Sequence, residues 1–263
     1  MNAIGVFDSG VGGLTVLAAL MNRWPHENFI YLADTARLPY GAKSIGTIRQ
    51  YCEQNIKYLS RFAVKGVVIA CNSASTAVLD HPLQSPIPIF NVVAPGARRA
   101  VETSSGKRIG VLGTRATINS QAYPHQILKL APQAEVFQQP CPLFVPLVEE
   151  GWLDDPITNL IAYRYITPLL QQQIDTLILG CTHYPALRKS ILRVTGQSIQ
   201  LVDSAMGLIE DLQVSGLCNS SRTEPGRLKI LCTDYSPRLE ETIRLLLAGV
   251  AYESLETVDL NEV

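Results

Sequence analysis

The chain has 263 residues, of which 47% are hydrophobic and 17% are charged, and its formal net charge at pH 7 is −1. This composition supports a sizeable buried core and excludes a disordered chain. The near-neutral charge, without an extended basic cluster, argues against a nucleic-acid partner bound through counterion release.

No apolar run reaches the length of about 20 residues that a helix needs to cross a bilayer, which argues against a membrane partner. The first residues also lack the basic segment of a signal peptide, so we predict a cytoplasmic protein. Six cysteines occur without any C-x-x-C motif, at positions 52, 71, 141, 181, 218 and 232. In a reducing compartment most of them are expected to be small buried hydrophobic residues.

Strand and helix patterns alternate from the first residues onward. The predicted strands of the first part are 3–7, 29–33, 66–70 and 88–93. Its predicted helices are 12–22 and 44–62. This order of elements predicts a doubly wound parallel sheet.

A second unit with the same pattern begins near residue 94. Its predicted helices are 96–103, 117–130, 156–172 and 185–195. Its predicted strands are 108–113, 134–138, 175–180 and 198–202. A loop at 215–227 precedes strand 229–233 and helix 237–247, which are expected to return to the first unit, and 253–263 is either an edge strand or a solvated tail. We predict an α/β fold of two similar doubly wound lobes with parallel sheets, formed by residues 1–94 plus 207–263 and by residues 95–206, with the active site in the cleft between them.

Two cysteines stand in nearly the same local sequence, one in each predicted lobe. Cys71 follows the apolar run 66–70, and Cys181 follows the run 175–180. Ligands bind outside the carboxyl ends of parallel strands, so both thiols are expected at a ligand site. Two thiols so placed predict a proton acid and a proton base that face one substrate. A helix N-terminus lowers a thiol pKa, and His183 is a candidate base for Cys181.

Other strand ends carry polar groups with more than one interpretation. The segment 8–13 (DSGVGG) could bind an anion at a helix start, or Asp8 could be an ordinary helix N-cap. The turn 39–41 and the segment 113–120 also offer donors. No dinucleotide fingerprint, P-loop or pyridoxal lysine context is visible, and Cys181 with His183 is too few ligands for zinc, so we predict neither cofactor nor metal.

Five motifs in order along the chain resemble glutamate racemases, of the aspartate/glutamate racemase family. They are DSGVGG at 8–13, PYG at 39–41, CNSA at 71–74, PLFVPLVE at 142–149 and LGCTHYP at 179–185. The resemblance implies a cofactor-independent enzyme that interconverts L- and D-glutamate. It also implies that glutamate is the small-molecule partner and that the D-glutamate supplies peptidoglycan synthesis, and with it cell wall biogenesis and cell shape.

The resemblance also implies roles for individual residues. Cys71 and Cys181 would exchange the α-proton on opposite faces of the substrate, assisted by Asp8 and His183 respectively. The residues that would hold the substrate are Asp8, Ser9, Tyr40, Gly41, Asn72, Ser73, Glu149, Thr182 and His183. Because Glu150 adjoins Glu149, the sequence leaves open which of the two lines the pocket.

Three alternatives stay open from the sequence. The chain could racemise aspartate or another acidic amino acid, since only the pocket for the distal carboxylate would differ. It could be a two-lobed binding protein without catalysis, although binding a carboxylate does not require cysteine. It could also be an interaction protein, because some members of the family inhibit DNA gyrase. The oligomeric state is open as well, with a homodimer among the alternatives.

Overall fold

The computed structural model describes residues 3–219 and 223–261. The first elements are β1 (Ala3–Asp8), α1 (Leu14–Arg23), β2 (Asn28–Ala33), α2 (Ile45–Leu59), β3 (Val64–Ile69), α3 (Asn72–Val78), β4 (Ile89–Asn91) and α4 (Val93–Thr103). They are followed by β5 (Arg108–Gly113), α5 (Arg115–Asn119), α6 (Ala122–Leu130), β6 (Glu135–Pro140), α7 (Phe144–Glu149), α8 (Pro156–Leu170), β7 (Thr176–Gly180), α9 (Arg188–Thr195) and β8 (Gln200–Asp203). The last are α10 (Ser204–Ser215), β9 (Leu228–Cys232), α11 (Pro237–Leu247) and β10 (Ser254–Thr257).

The strands form two parallel sheets. One has six strands in the order β10-β9-β2-β1-β3-β4, and the other has four in the order β6-β5-β7-β8. The four strands β2-β1-β3-β4 therefore have the same arrangement as β6-β5-β7-β8. The prediction of two similar doubly wound α/β lobes with parallel sheets is confirmed. We call the lobe with the larger sheet the first lobe and the other the second lobe.

The central strands form because their sequences suit burial on both faces. Every residue of β1 is buried, and Val6 and Phe7 are fully so. All residues of β7, at the centre of the second lobe, are buried as well. Continuous apolar runs of this kind are typical of parallel strands covered by helices on both sides. In the described part of the chain, no helix has the length and apolar character to cross a membrane.

The last strands return to the first lobe, as expected. β9 pairs with β2, and β10 pairs with the outer side of β9. Of the two alternatives for the C-terminal segment, an edge strand or a solvated tail, the structure shows a short edge strand over 254–257. The exact lobe boundaries, after residues 94 and 206, stay predictions, and both fall inside helices, α4 and α10. Residues 1–2, 220–222 and 262–263, which belong to the predicted lobes and loop, lie outside the described residues.

Some element predictions were wrong. The helix expected over 117–130 is two helices, because Gln121 adopts a left-handed backbone with φ of 56° between α5 and α6. α4 begins three residues before its predicted start, since the Asn91 side chain accepts hydrogen bonds from the backbone N–H groups of Val93 and Ala94. α10 was not predicted, although the Asp203 carboxylate caps it in a similar way.

α4 and α10 are the two connections between the lobes, and they pack against each other. A Cβ on Gly207 of α10 would lie only 2.2 Å from the Pro95 carbonyl oxygen of α4, so the two backbones are in close contact. Arg98 of α4 forms a 2.7 Å ion pair with Asp211 of α10. The lobes are therefore joined through one pair of helices.

Candidate active site

A cavity of about 260 Å³ lies between the lobes, where the carboxyl ends of both sheets face each other. All of the predicted site residues except Asp8 line it: Ser9, Tyr40, Gly41, Cys71, Asn72, Ser73, Glu149, Cys181, Thr182 and His183. The lining also includes Thr114 and Arg115, which the sequence did not assign to the site. The structure thus brings together five motifs that are far apart in the sequence.

The two cysteines occupy equivalent places in the two sheets. Cys71 follows β3, which neighbours the central strand β1 on the side opposite β2. Cys181 follows β7, which neighbours the central strand β5 on the side opposite β6. These are the switch points of the two sheets, where α/β proteins bind ligands. The matched local sequences around the two thiols therefore reflect matched positions in the fold.

Cys181 is paired with a histidine and a carboxylate. Its sulfur lies 3.8 Å from His183 Nδ1, and His183 Nε2 lies 3.2 Å from a Glu149 carboxylate oxygen. Burial acts to lower the pKa of His183, but its hydrogen bonds to Cys181 and Glu149 outweigh that effect and raise the pKa to about 10. A protonated imidazole beside the sulfur stabilises a negative charge there. Glu150 instead pairs with Arg238 at 3.3 Å, so the structure places Glu149 in the cavity.

Asp8 lies behind the cavity wall. It is fully buried, and its carboxylate accepts hydrogen bonds from the Gly10 backbone N–H at 2.9 Å and from the Thr182 hydroxyl at 3.2 Å. It does not cap α1, whose N-cap is Gly13 with no side-chain cap hydrogen bond. Burial raises the pKa of Asp8, although the His183 charge and its hydrogen bonds oppose that shift. A carboxylate with a raised pKa is a better proton acceptor than one in water.

Cys71 is the N-cap of α3, and its sulfur accepts a hydrogen bond from the Ala74 backbone N–H at 3.5 Å. A contact of 3.6 Å joins it to the Ser9 hydroxyl. Burial, followed by the nearby Asp8 charge, nevertheless raises the pKa of Cys71 well above its usual value. The expectation of a lowered thiol pKa was wrong for Cys71, because the helix start does not compensate for loss of water. The raised pKa keeps the Cys71 thiol protonated at neutral pH.

A cluster of hydroxyl groups from both lobes closes one side of the cavity. The Ser73 oxygen lies 2.9 Å from the Thr114 hydroxyl and 3.3 Å from the Thr117 hydroxyl. Thr114 also caps α5 through the Thr117 backbone N–H at 3.2 Å. The sequence signal that could have assigned Thr114 to the site was its position directly after β5, in the segment 113–120 that offers donors at a strand end.

The tyrosine of the PYG turn does not offer its hydroxyl to the cavity. Tyr40 is buried and donates a hydrogen bond from its hydroxyl to the Asp34 carboxylate, and the same oxygen accepts one from Asn55 at 3.1 Å. The other atoms of Tyr40 and the rest of the turn still line the cavity. A Cβ on Gly41 would lie 2.8 Å from Thr114 Cβ, so the turn is in close contact with the second lobe.

The charge of His183 is expected to make the stability of the protein depend on pH. Its folded pKa of about 10 is higher than the ordinary value of 6.5. The resulting stabilisation is complete below about pH 6.5 and is lost as the pH rises through 10. Denaturant unfolding of wild type and His183→Asn should therefore differ most near pH 6 and least above pH 10. A difference that stays constant with pH would contradict the assignment.

Comparisons with known proteins identify relatives of this chain. A family model described as Asp/Glu/Hydantoin racemase matches residues 16–211. The glutamate racemase of Syntrophus aciditrophicus is 49% identical over 99% of this chain and 97% of its own length. That of Chlorobaculum tepidum is 43% identical over 98% and 96%.

Solved structures give the same result. The glutamate racemase of Francisella tularensis in complex with D-glutamate has a TM-score of 0.89 and 36% identity, and covers 100% of this chain and 99% of its own. The Thermus thermophilus glutamate racemase in complex with β-chloro-D-alanine has a TM-score of 0.86 and 40% identity, with 99% and 98% covered. An aspartate racemase from Picrophilus torridus, at 19% identity and a TM-score of 0.54, shares only the fold.

The chain therefore belongs to the Asp/Glu/Hydantoin racemase family. Within that family it groups with the glutamate racemases, which are isomerases, and the resemblance predicted from its motifs is confirmed. In the part of the chain that the structure describes, no three His, Cys, Asp or Glu side chains are grouped to hold a metal ion.

Proposed function

We propose that this protein racemises glutamate without a cofactor, using Cys71 and Cys181 as the two proton-exchanging groups, and that its D-glutamate is used for peptidoglycan. The observation that carries the proposal is the placement of two thiols at equivalent strand ends on one cavity. Its support is the identity of 41–49% to curated glutamate racemases. A binding protein would need neither thiol.

The reaction proceeds by one proton removal and one proton delivery. A thiolate on one face takes the α-proton, and the electrons of the C–H bond stay on the substrate as a carbanion stabilised by its carboxylate. The thiol on the opposite face then gives its proton to the same carbon. The product has the inverted configuration, and the two sulfurs have exchanged protonation states.

The two thiols have different electrostatic surroundings. Cys71 holds its proton, while the Cys181 sulfur lies beside a protonated His183. Cys71 is therefore the thiol that starts as the acid, and the imidazolium is placed to stabilise a thiolate at position 181 when that sulfur acts as the base. Asp8, whose buried carboxylate has a raised pKa, is the nearby group that can accept the Cys71 proton when the roles are exchanged, although its charge also raises the pKa of that thiol.

Helix starts around the cavity supply donors for the substrate carboxylates. The cavity lining includes the first residues of α3 and α5 and the segment before the 3-10 turn Tyr184–Leu187. The first N–H groups of a helix have no partner within it, and their dipoles favour negative charge. Such donors lower the energy of the carbanion, because its charge spreads onto the bound carboxylate.

The proposal is tested by following pure L-glutamate in D₂O with no cofactor added. Optical rotation should fall to zero, and the product should carry deuterium at the α-position. Aspartate offered at the same concentration should be turned over far more slowly. Faster turnover of aspartate would mean that aspartate, and not glutamate, is the substrate. Ligand binding without deuterium incorporation would indicate a binding protein.

A methyl group at position 12 should damage the site without touching a thiol. A Cβ on Gly12 would lie 2.3 Å from His183 Nδ1 and 2.4 Å from the Thr182 hydroxyl. Gly12→Ala should therefore displace the imidazole from Cys181 and lower kcat by about 10-fold to 100-fold. Gly46→Ala is the matched control, since nothing lies within 4 Å of its Cβ position. Equal kcat values for the two variants would show that the ring moves without consequence.

Arg115 should speed the arrival of an anionic substrate. It is exposed, and among the described lining residues it is the only lysine or arginine. Arg115→Gln should lower kcat/KM by about fivefold at low ionic strength. This is the size of effect expected when an anionic substrate loses its attraction to one positive charge a few ångströms away in water. The difference should shrink in high salt as the charge is screened. Arg244→Gln, on α11 away from the cavity, should leave kcat/KM unchanged, and a salt-independent loss at Arg115 would contradict steering.

A further inference from the structure

The side-chain amide of Asn72 is held at both ends by residues of the opposite lobe. Asn72 follows Cys71 directly and lines the cavity. Its Nδ2 lies 2.8 Å from the hydroxyl of Ser204, the first residue of α10, and its Oδ1 accepts a 2.7 Å hydrogen bond from the hydroxyl of Tyr123 in α6. Tyr123 is fully buried and Ser204 is 1% exposed.

The directions of these hydrogen bonds fix the orientation of the amide. The Ser204 hydroxyl can donate to the Leu179 carbonyl at 3.5 Å, and a carbonyl can only accept. The serine oxygen must then accept from Asn72, so the amide nitrogen faces Ser204 and the amide oxygen faces Tyr123. Tyr123 supplies the proton on that side, since an amide oxygen cannot donate.

One N–H of the Asn72 amide remains for a ligand. The amide nitrogen has two hydrogens, and Ser204 is its one partner among the described residues. The oxygen, which would repel a carboxylate, is occupied by Tyr123. The amide is therefore held so that it presents a donor to an anionic substrate.

The same contacts join the two thiol-bearing segments. Asn72 is the first residue of α3 and is bonded to Cys71. Leu179 lies in β7, two residues before Cys181. The sequence of contacts from Asn72 through Ser204 to Leu179 thus links one thiol to the other across the cleft.

We propose that Tyr123 and Ser204 are positioning residues that act through Asn72. They orient its free N–H toward a substrate carboxylate, and they fix the α3 start relative to β7. Neither residue lines the described cavity. The inference rests on the proposed function, because it assigns the substrate carboxylate as the partner of the Asn72 amide.

The test compares Tyr123→Phe, Asn72→Ala and the double variant, in racemisation and in calorimetric binding of D-glutamate. Tyr123→Phe keeps the ring and frees the amide to rotate. It should raise KM and Kd by about 10-fold or more, the size expected for losing one oriented hydrogen bond to a charged group. In the Asn72→Ala background the tyrosine change should have no further effect on either constant. Ser204→Ala should raise KM in the same direction.

Two control variants separate positioning from general loss of stability. Tyr58→Phe removes the hydroxyl of another buried tyrosine, and Ser190→Ala removes a buried hydroxyl that donates to the Leu153 carbonyl at 3.0 Å. Both should leave KM unchanged. Additive effects of Tyr123→Phe and Asn72→Ala on Kd, or an unchanged KM in Tyr123→Phe, would overturn the proposal.

Failure of the proposed function would look different. If the wild-type protein does not racemise glutamate, the function is wrong. The coupling between Tyr123 and Asn72 is then read from a double-mutant cycle on the free energy of unfolding, which needs no substrate. Zero coupling in that cycle would overturn the contact itself.

Discussion

Alanine at either Cys71 or Cys181 is expected to reduce racemisation by about 10³-fold in both directions. Inversion needs a base on one face and an acid on the other, and each thiol supplies a step that the other cannot reach. Removal of a positioned acid–base group typically costs about 10²–10⁴-fold. Loss of optical rotation from L-glutamate and from D-glutamate measures both directions. Cys52→Ala and Cys232→Ala, at buried cysteines outside the cavity, are the controls and should remain active.

The same variants can show which face each thiol serves. Elimination of HX from a halogenated glutamate requires only one base, so each single variant should still eliminate from one enantiomer. Cys71→Ala and Cys181→Ala should have opposite preferences. Racemisation near the wild-type rate in either variant would show that the assignment of two bases is wrong.

Replacing His183 with asparagine is expected to lower kcat by about 10²–10⁴-fold, with a smaller change in KM. The imidazole lies 3.8 Å from the Cys181 sulfur and carries a proton up to about pH 10, so it stabilises the thiolate that removes the α-proton. Asparagine keeps a polar group but no charge. Steady-state kinetics in both directions, with α-deuterated glutamate, should show that the direction using Cys181 as base is affected more.

Asp8→Asn is the matched variant for the other face. Asparagine can still accept from the Gly10 N–H, so the local turn is preserved, but the charge near Cys71 is lost. We expect the opposite asymmetry, with greater loss in the direction that uses Cys71 as base. A folded Asp8→Asn protein with near wild-type kcat in both directions would mean that the carboxylate is structural.

The strand ends were predictable because burial on both faces leaves a clear pattern. The runs before Cys71 and Cys181 are continuous and apolar, and each ends at a small or polar residue. Parallel sheets put such ends at one edge, so the two thiols could be assigned to one site from the sequence. The lobes could be paired for a similar reason, since the same order of elements occurs twice.

The remaining features depend on contacts between distant segments. Nothing near Tyr40 in the sequence indicates that its hydroxyl is occupied by Asp34. The raised pKa of Cys71 arises from the depth at which α3 is buried, and a helix start alone suggested the opposite shift. Tyr123 reaches Asn72 only because α6 packs beside the cleft. Periodicity reports which face of an element is buried, but it does not report what that face contacts.

The close contact of α4 with α10 limits how the cavity can open. Both connections between the lobes are helices, and Gly207 lets their backbones touch at Pro95. Lobes joined in this way can rotate about that helix pair, but sliding would break the contact along its length. A rotation that parts Cys71 from Cys181 would also have to break the hydrogen bonds of Asn72 to Ser204 and Tyr123, which cross the cleft beside the first thiol. Opening the cavity would therefore undo the position of the Asn72 amide together with the two-sided placement of the thiols.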